Sequence, residues 1–177
     1  MKVATHKYGV EIPSSIEHYI CIDDINGNQL WQGSLDKDMH NVSVVFEILP
    51  TGVSVPVGWK NSYRHLIRDV NMDFTQKARW IKDGHLTPDP KDPKYGGVVS
   101  RDSVIIAVTY DDFNNVDVTA ADIQNFYLQA PSYEKHYVIC GKYFGIEHEG
   151  KIALIWHALY GGKLADRHFW TLLRSCM

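Results

Sequence analysis

Apolar and polar positions alternate along this chain with two different periods, and the switches between them outline its elements. Ser14 stands three residues before Glu17, the spacing of a capping box, and predicts that a short helix opens there. Asn28 predicts a second helix start, after which Leu30, Trp31, Leu35, Met39 and Val42 return near helical spacing as one apolar stripe. The β-branched run from Val42 to Ile48 reads as a strand. Leu49-Pro50-Thr51-Gly52 reads as a turn, and Val53 to Trp59 as a second extended piece.

Two β-prone segments follow, His65 to Val70 and Lys77 to Ile81, and predict a hairpin. Alternation puts Lys77, Arg79 and Ile81 on one face and Ala78, Trp80 and Lys82 on the other, so one side of the hairpin is basic. Residues 83–97, with three prolines and three glycines, predict a loop. A helix is expected from about Arg101 to Phe113 with Val104, Ile105, Ala107 and Val108 facing the core. Val116 to Ile123 reads as a buried strand, Asn125 to Ala130 as a helical turn, and Tyr137 to Cys140 and Ile152 to Trp156 as strands. Gly161-Gly162 is a turn before a last helix carrying Phe169, Trp170, Leu172 and Leu173. That helix runs to Arg174-Ser175-Cys176-Met177 without a glycine cap, which suggests that its packing partners belong to downstream sequence.

Composition narrows the class. At 177 residues and 45% hydrophobic content the chain can bury a core. No run approaches the roughly 18 apolar residues of a membrane span, and no apolar signal core follows the N-terminus, so a soluble, intracellular, cytoplasmic chain without membrane contact is expected. Cys21, Cys140 and Cys176 form no C-x-x-C pair, which argues against a disulfide framework and a thiolate zinc site. The net charge of −3 conceals a division: residues 60–85 carry Lys60, Arg64, Arg68, Lys77, Arg79 and Lys82 against Asp69, Asp73 and Asp83. A local basic excess of this kind attracts phosphate, and it is also what a solvated surface looks like.

Candidate chemistry centres on Asp122. If 116–123 is a strand, Val116, Val118, Ala120 and Asp122 share a face, and a carboxylate ends an apolar row. Such a charge needs compensation, by a hard cation such as Mg²⁺, by exposure of the strand end, or by a helix N-cap role. His136, His148, His157 and His168 form no metal-ligand motif, and neither a G-x-S-x-G elbow nor a phosphate-binding glycine loop is present.

Four blocks then carry a resemblance: Lys77-Ala78-Arg79-Trp80-Ile81, Val98-Val99-Ser100-Arg101-Asp102-Ser103-Val104, Ala121-Asp122-Ile123-Gln124-Asn125-Phe126-Tyr127-Leu128, and Ala158-Leu159-Tyr160-Gly161-Gly162-Lys163 with Phe169-Trp170. In order and spacing they resemble the reverse transcriptase domain of Ty1/copia-type retrotransposon polyproteins, over nearly the whole chain from about Tyr8. The resemblance implies an α/β (α+β) chain with a partial right-hand polymerase fold, fingers plus incomplete palm. Residues 1–59 would lead into the fingers, 60–97 form the finger hairpin and loop, 98–129 begin the palm, 130–160 return to the fingers, and 161–177 form a palm helix cut short.

It implies Asp122 as the first catalytic, metal-binding aspartate, with the Ile123 carbonyl as a further metal ligand. It implies Lys77 and Arg79 as cations for the nucleotide triphosphate, and Tyr127 as the aromatic under the sugar. The cofactor would be two Mg²⁺ ions, and the partners a dNTP, an RNA or DNA primer-template, and the remainder of palm and thumb. The family takes two more carboxylates from a downstream Tyr-x-Asp-Asp pair, and no Asp-Asp follows Asp122 here. Phe126, Leu164 and Asp166 stand where the family has alanine, glutamine and proline. The expectation is therefore a fragment of an RNA-directed DNA polymerase, inactive alone. The alternatives are a non-catalytic nucleic-acid-binding or assembly module, and a poorly folding transposon remnant.

Overall fold

The computed structural model describes residues 5–87, 89, 97, 99–119 and 121–177 of this chain. Part of the loop expected at 83–97, and the Val98 and Ala120 positions, lie outside the described residues. The described chain is a mixed α and β structure. A small hairpin, β1 (His6–Lys7) and β2 (Val10–Glu11), precedes helices α1 (Ile16–Asn26) and α2 (Leu30–Ser43). Then come β3 (Phe46–Ile48), β4 (Lys60–Asn61), the hairpin strands β5 (Arg64–Val70) and β6 (Gln76–Lys82), and helices α3 (Arg101–Asn114) and α4 (Phe126–Gln129). Strands β7 (Pro131–Ile139) and β8 (Ile152–His157) and helix α5 (Ala165–Cys176) complete the order.

The first helix begins one residue later than the capping box predicted. Ser15 is the cap, its hydroxyl accepting from the His18 amide at 3.2 Å, while the Ser14 amide donates to His18 Nδ1. The corner between α1 and α2 is held by a residue with no predicted role. Asp23 is fully buried, and its two carboxylate oxygens accept from the Trp31 amide at 3.1 Å and the Gln32 amide at 2.9 Å. Those are first-turn amides of α2, which have no partner inside their own helix. Asn28, the expected cap, takes only the Leu30 amide at 3.2 Å.

Helix α2 lies along β6. Of the predicted stripe, Trp31, Leu35 and Val42 are buried, Met39 packs against the core at its edge, and Leu30, at the helix start, is exposed. The polar positions on that side are used as well. Ser34 Oγ accepts from the Ala78 amide at 2.7 Å and Asp38 Oδ2 from the Trp80 amide at 2.5 Å. In an antiparallel pair every second amide of a strand points away from its partner. The next such amide on β6, that of Lys82, donates to the Tyr160 carbonyl at 2.9 Å.

Strands β5 and β6 pair antiparallel from Arg64↔Lys82 to Val70↔Gln76, as the alternation predicted. Beside them a separate sheet runs in the order β3-β8-β7-β4, with β4 parallel to β7 and the other pairs antiparallel. An aromatic triad joins the two. Trp80 is fully buried and meets Phe46 at 5.2 Å and Phe144 at 5.9 Å, all edge to face, an arrangement favoured by the ring quadrupoles.

Several expectations need correction. The strand expected at 42–48 is only β3, because α2 continues through Ser43 and Val42 and Val45 are buried where the chain turns out of it. Residues 53–59 form no strand, and pairing begins at Lys60. Strand β7 starts at Pro131, six residues before the expected Tyr137, with an irregularity between Pro131 and His136. Helix α3 forms, but its Val104, Ile105, Ala107 and Val108 do not face a core: none of its residues is buried. Its apolar residues are spread around the helix, so no single stripe commits one side to the interior.

The described residues of 116–123 form no strand. A strand exists only through a neighbour, and this segment has none. Its described residues are exposed between Asn115 and Asn125, both in the left-handed conformation with φ of 49° and 51°.

The Asp23 joint makes a measurable prediction. Asp23→Ala leaves two α2 amides without acceptors at a buried corner, and should destabilise the fold by about 2 kcal/mol. Thermal melts should show a lower midpoint for Asp23→Ala, and a smaller drop for Asp23→Asn, which keeps one oxygen; an unchanged midpoint for both variants would remove the cap from the account.

Candidate functional site

The basic face of the hairpin is where sequence and structure meet. Ala78, Trp80 and Lys82 turn inward and are buried, so Lys77 and Arg79 take the other face, both half-buried. They do not act as a pair. Lys77 lies opposite Asp69 on β5, whose carboxyl is held below its usual range chiefly by the hydrogen bond from Lys7 Nζ at 2.5 Å and by the Val70 amide, with the Lys77 charge as a smaller contribution. Arg79 instead stacks on Tyr160, its guanidinium carbon 4.8 Å from the ring centre.

Tyr160 reaches that position through a close backbone approach. Gly161, with φ of 80°, and Gly84 lie against each other: a Cβ on Gly84 would fall on the Gly161 carbonyl oxygen, and one on Gly161 on the Lys82 carbonyl oxygen. Only glycine fits at both places. The Lys82 amide fastens the turn through the Tyr160 carbonyl, and Lys163 Nζ donates to the Thr87 carbonyl at 2.6 Å and to Asp89 at 2.9 Å.

From Tyr160 an aromatic ledge continues. Tyr127 lies 5.7 Å away at a steep angle, and Phe126 and Phe169 meet at 4.8 Å beside it. The Tyr127 hydroxyl donates to Asp166 Oδ1 at the head of α5, and burial together with that carboxylate pushes its pKa up to about 12. Asp38, under the same hairpin, has its carboxyl raised by burial, against the Trp80 amide and the Arg79 charge. One cation, four tyrosine and phenylalanine rings and two carboxylates thus surround a surface drawn from β6, α4, the Tyr160 turn and α5. A planar base can stack on such rings and a phosphate can pair with the guanidinium.

Asp122 and Ile123 are exposed on the connection before α4 and are not part of this ledge. Among the described residues no group of three or more histidine, cysteine, aspartate or glutamate side chains could hold a metal ion. One exposed carboxylate and a neighbouring carbonyl do not fit a two-ion site, which needs several converging oxygen ligands.

A second cluster lies beneath, and sequence reading missed it. Lys82, at 3% exposure, donates from Nζ to Glu134 Oε2 at 3.2 Å and contacts His136 Nδ1 at 2.8 Å. Burial lowers the Lys82 pKa and the Glu134 charge opposes this. Burial, and then the Lys82 charge, bring His136 down from 6.5 to about 4. A neutral imidazole can accept a hydrogen bond from the lysine Nζ there. The alternation that turned Lys82 inward was legible; its partners, more than fifty residues away on β7, were not.

No family model, curated protein or solved structure matches this chain. Among the described residues no helix is long and apolar enough to cross a membrane.

The His136 shift fixes a direction with pH. Because the folded state holds its pKa below 6.5, the unfolded chain binds the extra proton between pH 6.5 and about 4. This contribution to stability is therefore complete above pH 6.5 and is lost as pH falls toward 4. Urea midpoints should drop across that window, and His136→Asn should flatten the slope; equal slopes for both proteins would place the acid sensitivity elsewhere.

Proposed function

We propose that this chain is the fingers and the first part of the palm of an RNA-directed DNA polymerase of the Ty1/copia retrotransposon type. In this form it binds nucleotides and primer-template duplex without extending a primer. The observation that supports the reading is convergence. Arg79, Tyr127 and Tyr160 come from three of the four sequence blocks that carry the resemblance, and they meet around one surface.

On this reading Arg79 and Lys77 take the phosphates of the nucleotide, and Tyr127 carries the sugar. Asp122 with the Ile123 carbonyl would be the first metal-binding position, completed in a working polymerase by two Mg²⁺ ions and further carboxylates. No Asp-Asp pair follows Asp122 in this sequence, and the reading assigns these residues nucleotide and duplex binding.

Filter binding of an oligo(dT)·poly(rA) duplex across a salt series tests the binding half. Affinity should fall steeply with salt, as phosphate-led association does, and Arg79→Ala should weaken it roughly tenfold. Binding insensitive to both salt and Arg79→Ala would refute the reading. Primer extension with Mg²⁺ or Mn²⁺ tests the other half, with no product expected; extension abolished by Asp122→Asn would restore catalysis to the chain.

A further inference from the structure

Helix α3 is well made, yet none of its 14 residues is buried in the fold. Its ends are closed, by the Ser100 hydroxyl accepting from the Ser103 amide at 3.0 Å and by left-handed Asn115 at the other end. A helix of this length is marginal in water unless a partner covers one of its faces.

One face has the composition of a seam. Arg101, Ile105, Val108 and Asp112 recur at the four-three-four spacing that keeps residues in line on paired helices. All four are exposed, Ile105 at 50% and Val108 at 52%, and Val104 flanks them at 47%. The row is apolar in the middle, cationic at its N-terminal end and anionic at its C-terminal end. Such a face is complementary to itself when inverted.

We propose that a second copy of this chain covers α3, the two helices pairing antiparallel about a two-fold axis. Ile105 of one copy then meets Val108 of the other, twice, and Arg101 of each meets Asp112 of the other, twice. A parallel pair would set arginine against arginine and aspartate against aspartate, so charge selects the antiparallel arrangement. The remaining charges do not oppose it: Asp102 comes opposite Thr109, and Asp111 opposite Val104. The apolar residues Ile106, Tyr110 and Phe113 lie on the other side of the helix, outside the seam. Two short helices bury less than a standard stable interface, so the dimer should form at roughly 10–100 µM. The pairing stands independently of the polymerase reading, since it uses no residue of the Arg79 surface.

Sedimentation equilibrium on the full chain, with circular dichroism to check the fold of each variant, tests the pairing. The wild type should be a reversible monomer–dimer. Arg101→Glu alone and Asp112→Arg alone should each weaken self-association by about tenfold or more, because each creates two like-charge contacts per dimer. Mixing the two variants should restore dimers, since Glu now meets Arg at one end and Arg meets Asp at the other. The double variant Arg101→Glu with Asp112→Arg should restore them in a single chain. A monomeric wild type at 100 µM, or single variants that associate as the wild type does, would overturn the proposal. So would a mixture no more associated than its components. Association abolished by Ile105→Lys but indifferent to the charge reversals would mean that an unselective apolar partner covers the face, and would overturn it equally.

Discussion

The outer edge of β6 is the constraint on which the rest of this structure depends. A strand in a two-stranded hairpin has one row of amides with no neighbour, and a buried amide without an acceptor is costly. Here the row is closed by three different devices: the Ser34 hydroxyl, the Asp38 carboxylate and the Tyr160 carbonyl. Helix α2 therefore occupies the place of a third strand, and Ser34 and Asp38 must be four residues apart because alternate strand amides are about one helical turn apart. The same row sets the orientation of everything on β6. Trp80 turns down into Phe46 and Phe144, Lys82 into Glu134 and His136, and Arg79 up onto Tyr160.

The candidate surface is a by-product of that arrangement. Tyr160 belongs both to the edge of β6, through its carbonyl, and to the aromatic ledge, through its ring. Whatever holds the strand also holds the ring against Arg79. The Gly84 and Gly161 backbones make this possible, since a side chain at either would push the hairpin end away from the Tyr160 turn. A ligand on the ledge would thus be felt by the α2–β6 joint, and the joint in turn aims the guanidinium.

What sequence could and could not reveal follows from the range of each interaction. The hairpin was legible because period-two alternation and a seven-residue register are local, and α2 because its stripe of Trp31, Leu35, Met39 and Val42 repeats within one helix. Strand 116–123 was misread for a physical reason. β-branched composition reports willingness to pair, and pairing depends on a neighbour that the segment itself cannot specify. The buried face expected on α3 failed similarly, because apolar residues all round a helix do not say which side, if any, meets the chain's own core. At the surface, Arg79 and Tyr127 were picked out by resemblance, whereas Asp38, Ser34, Glu134 and His136 carried no signal at all. Their roles arise from contacts across more than forty residues of chain.

The Asp23 corner bears on how the molecule responds to ions. Mobile ions screen exposed charge pairs over a Debye length of about 8 Å at physiological strength, and pairs such as Lys142 with Glu17 lie open to them. Asp23 is neutralised differently, by two amide dipoles at the start of a helix, inside a region that counterions do not enter. Raising ionic strength would loosen a polyanion from the cationic surface of the hairpin while this corner stayed as it was. On the proposed reading, electrolyte would act on the attachment of a polyanion and spare the architecture, because the charge at this corner is met inside the fold.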